Sequence, residues 1–202
     1  MYYIVPLGNP GERYAQTRHN VGWLALDYCR RAWRLPELLE SRQESGRVTE
    51  DVIDTVPVKI LYPDTFMNNS GSAVAKLVSQ NDIQNLIVVH DEMDVPFGEI
   101  KIAKGRGGGG NNGVTSIIQK LGSKDFVRVR VGIAPRSFWT GKTKRPAGGG
   151  PLERFVLKPF GKSEQKELEF VYEKVKEAIE IIMKDGVEVA MNKCHTSTQS
   201  SK

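Results

Sequence analysis

One histidine set among amides near the N-terminus is the place where this chain concentrates chemistry. Leu7-Gly8-Asn9-Pro10-Gly11-Glu12-Arg13-Tyr14 is followed by Thr17-Arg18-His19-Asn20-Val21-Gly22, and the chain holds only three histidines in all. Histidine is the side chain whose ordinary pKa suits proton transfer near neutrality. Further amides stand at Asn68, Asn69, Asn111 and Asn112, and carboxylates cluster in His90-Asp91-Glu92-Met93-Asp94. Amides do not titrate, but they position water and donate hydrogen bonds to a carbonyl or a developing oxyanion. No Ser or Cys has the sequence context of a nucleophile elbow or a catalytic cysteine. One base, one carboxylate to orient it and several amides describe hydrolysis by activated water.

Each of these residues also has a plainer reading. His19 can be a helix-start histidine bonded to backbone, Asp91 a strand-end carboxylate capping a loop, and Asn68 a turn residue. His90 reads as a packed histidine. The alternating carboxylates from Asp91 to Asp94 suit Mg²⁺ held against a phosphate. Consecutive strand residues point to opposite faces, however, so Asp91 and Glu92 do not converge, and no metal site is expected. Gly105-Arg106-Gly107-Gly108-Gly109-Gly110-Asn111-Asn112-Gly113 lacks the Lys-Ser/Thr ending of a P-loop. Its glycines suit close backbone approach to a ligand instead.

The elements that must position these groups alternate between strand and helix. Tyr2–Leu7 reads as a buried strand whose end Pro6 demotes to an edge or a bend. A helix is expected over Asn20–Leu35, stopped by Pro36, and then a polar loop over 37–50. Val56–Tyr62 reads as a strand, and a helix capped by Asn69 or Ser70 runs to Leu77. Leu86–Val89 is the clearest core strand, delivering His90–Asp94 at its C-terminal end, where sites of open α/β sheets sit. A strand over Glu99–Lys104, a helix over Val114–Leu121 and a strand over Val127–Ile133 follow, the last with Arg128 and Arg130 on one face. Residues 135–151 read as a loop, Ser163–Lys184 as one helix ended at Gly186, and 196–202 as a disordered tail. The pattern implies an α/β fold, a single three-layer domain with a mixed central β-sheet flanked by helices.

Composition sets the limits. With 202 residues, 39% hydrophobic and 26% charged, the chain suits one soluble domain. No apolar run approaches the ~20 residues that cross a bilayer. The N-terminus lacks the pattern of a signal peptide. Cys29 and Cys194 are too few for a disulfide framework, so a reduced, cytoplasmic protein is expected. The net charge of +5 is unevenly spread: Lys101–Lys162 holds fourteen Lys and Arg against Asp125 and Glu153, leaving the remainder acidic by seven charges. That density is the footprint expected for a polyanion.

Taken together the motifs closely resemble bacterial-type peptidyl-tRNA hydrolase. They are Leu7-Gly8-Asn9-Pro10-Gly11-x-x-Tyr14, Thr17-Arg18-His19-Asn20-Val21-Gly22, Thr65-Phe66-Met67-Asn68-x-Ser70-Gly71 and His90-Asp91-Glu92-x-Asp94-x-Pro96-x-Gly98. Asn112-Gly113, Phe126-x-Arg128-x-Arg130-x-Gly132-Ile133 and Phe155-Val156-Leu157 continue the match in order. The resemblance implies an esterase that frees peptide from tRNA. In it His19 is the base that activates water, Asp91 orients it, and Asn9 sits at the scissile ester. By the same resemblance Asn68 and Asn112 bind the peptide backbone or the attacked carbonyl, and Tyr14, Phe66 and Met67 shape the cleft. Arg130 clamps the 5′ phosphate at the tRNA acceptor stem.

The chain departs from the family in three places. The usual lysine partner of Arg130 falls near Ala103, so Lys101 or Lys104 has to substitute. Asn111 stands where many members have histidine, which points to tuning rather than inactivation. A basic, glycine-rich insertion runs over about 136–154, with Trp139, Lys142, Lys144 and Arg145. The expectation is one domain over 1–195, a monomer without metal or cofactor, with peptidyl-tRNA as partner and no membrane. Two other readings are a non-catalytic RNA-binding scaffold of the same fold and a metal-dependent phosphoesterase.

Overall fold

The computed structural model describes residues 1–135 and 149–196. Most of the basic insertion, Trp139, Lys142, Lys144 and Arg145 included, and the tail 197–202 lie outside the described residues. Among those described, seven strands make one sheet in the order β2-β3-β4-β1-β5-β7-β6. The centre is parallel: β1 (Tyr2–Pro6) lies between β4 (Val56–Pro63) and β5 (Leu86–Pro96), and β5 pairs in parallel with β7 (Val127–Ala134). Antiparallel strands finish both edges, β2 (Leu39–Ser41) and β3 (Gly46–Ile53) on one side and β6 (Ile100–Lys104), which pairs with β7 across an intervening helix, on the other. The sheet is therefore mixed, as the sequence pattern predicts.

Strand alternation sorts the core into two halves. Ile4, Ile87, Val89 and Val129 face α1 (Val21–Ala32) and α6 (Leu168–Asp185), meeting Val21, Ala25, Leu26, Val175 and Ile179. Val5, Leu7, Leu86 and Val88 face α2 (Ser70–Leu77) and α3 (Asn112–Leu121), meeting Val74, Val114 and Ile117. Helices on both faces give the three layers. The α2–α3 contact is close enough to require Gly71, where a Cβ would stand 2.2 Å from the Ser116 carbonyl oxygen. Ser116 Oγ accepts the Gly71 N–H at 3.0 Å.

Several expectations are corrected. The expected loop 37–50 contains β2 and β3, paired Leu39↔Val48 and Ser41↔Gly46; its polar composition reflects an edge that leaves Leu39 and Glu40 exposed. Pro6 ends a central strand, in register with Val89. β5 continues seven residues past Val89, paired with β7 through Glu92, after which the register shifts. Neither Asn69 nor Ser70 caps α2 through its side chain; Ser70 donates instead to the Met67 carbonyl at 3.0 Å. The last long helix is broken into α5 (Lys162–Gln165) and α6, and α7 (Val187–Thr196) follows Gly186, whose φ of 91° ends α6. Gly150–Val156 forms α4 where the sequence suggests loop and insertion. Among the described residues no helix is long and apolar enough to cross a membrane.

Candidate active site

The site lies at the C-terminal ends of β1 and β5, and its first requirement is that the chain after β1 be held still. Asn20, fully buried, does this. Its Oδ1 accepts the Asn9 N–H at 2.9 Å and its Nδ2 donates to the Asn9 carbonyl at 2.9 Å. Asn9 Oδ1 in turn accepts the Met67 N–H at 2.8 Å. That fixes the amide with its Nδ2 as the remaining donor, and Asn9 lines the cleft. Gly22 lets the start of α1 close onto the strand ends, since a Cβ there would meet the Val89 carbonyl oxygen at 2.5 Å. This approach sets His19, in the short 3-10 turn Arg18–Asn20, beside β5.

His19 Nδ1 lies 2.9 Å from Asp91 Oδ2. With Nδ1–H donating to the carboxylate, the neutral ring carries its lone pair on Nε2. Burial of the imidazole works against its charged form, but the Asp91 charge and hydrogen bond outweigh it, and the pKa is raised above the ordinary 6.5. Asp91 is itself held. Its Oδ1 accepts from Asn111 Nδ2 at 2.8 Å. Asn111 Oδ1 accepts the Gly113 and Val114 N–H groups at 3.0 and 3.1 Å, capping α3. A chain of hydrogen bonds thus runs from the first turn of α3 through Asn111 and Asp91 to His19.

Around this pair opens a cleft of about 670 Å³ lined by Asn9, Tyr14, His19, Phe66, Met67, Asn68, Asp91, Asn111 and Asn112. Asn68 and Asn112 are exposed in it. Tyr14 and Phe66 meet edge to face, with centroids 6.4 Å apart and planes at 87°, and Phe66 is half exposed. Leu152, Glu153, Val156 and Leu157, from α4 and its end, contribute a further wall that the sequence analysis missed. The signal was present in Phe155-Val156-Leu157, but Gly149-Gly150-Pro151 masked the helix. Proline is tolerated in a helix's first turn, so it was not the stop it resembled.

The two acidic neighbours on β5 leave the strand in opposite directions, although both line the cleft. Asp91 meets His19, while Glu92 Oε2 holds Arg130 Nε at 2.8 Å. That ion pair was also missed, although the alternation that separates Asp91 from Glu92 puts Glu92 on the face of Arg130. Lys101 is the direct cross-strand partner of Arg130, Ala103 of Arg128 and Lys104 of Val127. Paired residues share a face, so Lys101 stands beside Arg130 and Lys104 is turned to the opposite side. His90 is wholly buried, donating Nδ1–H to the Asp91 carbonyl at 2.8 Å. Burial, its largest influence, pushes its pKa down to about 4.

An open α/β sheet with a part-buried His–Asp pair and exposed Asn68 and Asn112 in the cleft at its strand ends suits an enzyme that hydrolyses through activated water. The chain belongs to the peptidyl-tRNA hydrolase family, whose model matches residues 3–202. The peptidyl-tRNA hydrolase of Rhodococcus opacus (strain B4) is 40% identical over 195 residues, covering 95% of this chain and 96% of its own. That of Thermodesulfovibrio yellowstonii is 38% identical over 199 residues, covering 95% and 97%. The crystal structure of the Acinetobacter baumannii peptidyl-tRNA hydrolase superposes with a TM-score of 0.84 at 28% identity, covering 95% of this chain and 93% of that one. The protein is an esterase-type hydrolase acting on peptidyl-tRNA.

Proposed function

We propose that His19 is the general base of this hydrolysis and that Asp91, Asn9, Asn68 and Asn112 complete the site. The observation that carries the reading is the 2.9 Å contact between His19 Nδ1 and Asp91 Oδ2, with His19 on the wall of the cleft. His19 Nε2 takes a proton from water as the oxygen attacks the ester carbonyl. The Asn9 Nδ2 donor meets the oxyanion that forms, a type of contact whose loss typically costs roughly 10²–10³-fold in rate. As the tetrahedral intermediate collapses, the imidazolium returns the proton to the departing 3′ ribose oxygen. The products are a free peptide carboxylate and tRNA. Asp91 holds the tautomer and stabilises the imidazolium between the two transfers.

Asn68 and Asn112 offer amides to the peptide backbone, and Tyr14, Phe66 and Met67 shape the tRNA end of the cleft. Arg130, held through Nε by Glu92, keeps its two terminal nitrogens for a planar, two-point grip on the 5′ phosphate at the acceptor stem. Lys101 is its partner, by register; Lys104 is not. The reading extends to a cytoplasmic monomer whose domain covers residues 1–195.

The test is release of N-acetyl-aminoacyl groups from tRNA with chelator present, for the wild type and His19→Ala, with unblocked aminoacyl-tRNA as control. Cleavage of the blocked substrate alone, reduced by at least about 10²-fold in the variant, is expected. Undiminished cleavage by His19→Ala would remove the base from the mechanism.

A further inference from the structure

Arg18 precedes the base by one residue, and the reaction as described makes no use of it. Its side chain is buried, and a buried charge is costly unless it is paired and hydrogen-bonded. Its side-chain partners all lie on the stretch 155–164. Nη1 donates to the carbonyls of Pro159 at 2.6 Å and Lys158 at 3.3 Å. Nη2 meets Glu164 Oε2 at 2.6 Å, and the guanidinium lies 4.5 Å over the Phe155 ring and 5.3 Å from that of Phe160. The backbone adds two ties: Arg18 N–H donates to the Lys158 carbonyl at 3.0 Å, and Thr17 bridges to Pro159. Glu164 Oε2 also accepts the Gly161 N–H at 2.6 Å, so the ion pair fixes the start of α5 as well.

This stretch is the continuation of the cleft wall made by Leu152, Glu153, Val156 and Leu157. We infer that Arg18 is a positioning residue that locks this wall against the His19 turn and thereby sets the room available to the acyl group of the substrate. A guanidinium satisfies two carbonyls, a carboxylate and two ring faces at once because its donors form a rigid planar fork. The ammonium of lysine keeps the charge without the fork. Leu152, Val156 and Leu157 give the wall an apolar surface, so its displacement penalises a large acyl side chain more than a small one. The inference rests on cleavage taking place in the His19 cleft.

The experiment compares N-acetylglycyl-tRNA with N-acetylphenylalanyl-tRNA in the wild type, Glu164→Gln, Arg18→Lys and Arg18→Gln. Glu164 lies on α5, away from the cleft lining, which keeps the test informative if the Arg18 variants fold poorly. In Glu164→Gln the KM for the phenylalanyl substrate is expected to rise roughly three- to tenfold, with kcat held within about twofold and the glycyl KM little changed. Arg18→Lys should fall between the wild type and Arg18→Gln. Equal changes for both substrates, a fall in kcat alone, or no change in Glu164→Gln would overturn the assignment. Full activity in His19→Ala would instead strike the reading of the cleft itself.

Discussion

Asp91 meets His19 with one carboxylate oxygen and Asn111 with the other, at 2.9 and 2.8 Å. The carboxylate therefore has no freedom to rotate away from the imidazole. Because the base must be neutral to accept a proton, kcat/KM is expected to rise with pH through a midpoint above 6.5, the side to which His19 is shifted. Asp91→Asn removes both raising influences and leaves only burial. The midpoint should then move below 6.5 while the plateau falls by roughly 10²-fold or more. A pH–rate profile of the two proteins checks both; an unshifted midpoint would detach Asp91 from His19.

Asn111 does two things that substitution can separate. Asn111→Asp keeps an acceptor for the Gly113 and Val114 N–H groups but puts a second carboxylate against Asp91. At high pH the two like charges, 2.8 Å apart in a buried place, should cost about 2 kcal/mol or more. That loss is relieved as the pH falls and the pair takes up one proton. While both are ionised, the extra negative charge favours the imidazolium and moves the acid limb of the rate profile upward. Asn111→Ala loses cap and donor together and should cost about 1–2 kcal/mol in unfolding free energy as well. Denaturant titrations beside pH–rate profiles separate the two functions.

Asn20 is expected to matter to catalysis without touching substrate. Asn20→Ala leaves the buried N–H and carbonyl of Asn9 unpaired, a loss of roughly 2–4 kcal/mol in stability. It also frees the Asn9 amide, so kcat should fall by about tenfold or more in protein that remains folded. Asn20→Asp keeps an acceptor for the Asn9 N–H but sets a second oxygen against the Asn9 carbonyl in a fully buried place, and should recover no stability while that carboxyl is ionised. Urea unfolding with single-turnover rates provides the check.

On the side of the sheet that carries Glu92, Arg130→Ala in β7 and Lys101→Ala in β6 should each reduce the salt dependence of tRNA binding by about one unit of the log–log slope. Lys104→Ala should leave it unchanged, because Lys104 pairs with Val127 and is turned to the other side. Equal effects from Lys101 and Lys104 would contradict the register argument.

His90 sets a stability limit in acid. Its folded pKa of about 4 lies below its ordinary value, so the neutral ring stabilises the fold above pH 6.5. That contribution is lost as the pH falls towards 4, a change on the order of a few kcal/mol. His19 acts with the opposite sign, its contribution being present below 6.5 and lost as the pH rises through its raised pKa. His90→Gln should flatten the dependence of unfolding free energy on pH between 6.5 and 4, measured against the wild type.

The parts of this molecule that were legible in its sequence are those whose signal is local. Apolar runs such as Leu86–Val89 marked the parallel core strands, and Gly186 marked the end of α6. β2 and β3 escaped because an edge hairpin with one exposed face looks polar. The break between α5 and α6 escaped because neither Lys166 nor Glu167 is a helix breaker. At the site, His19, Asp91 and Asn9 were legible as types and motifs. The Asn20 clamp on Asn9 and the Arg18 ties to 158–164 were not, since they join positions that only the folded chain brings together. Glu92 was read among carboxylates that alternation points apart, but its own ion pair with Arg130 went unseen.

Because Asp91 and Glu92 are consecutive residues of one strand, β5 works as a ruler with adjacent marks on opposite sides. About 3.3 Å of backbone separates the residue that holds the His19 ring from the residue that steadies Arg130. Substitutions can retune either side alone. A single-residue insertion or deletion between Leu86 and Asp91 would turn both carboxylates to the wrong faces at once. Length in this strand is therefore inherited as a fixed gauge, and chains descended from this one can vary its letters far more freely than their number.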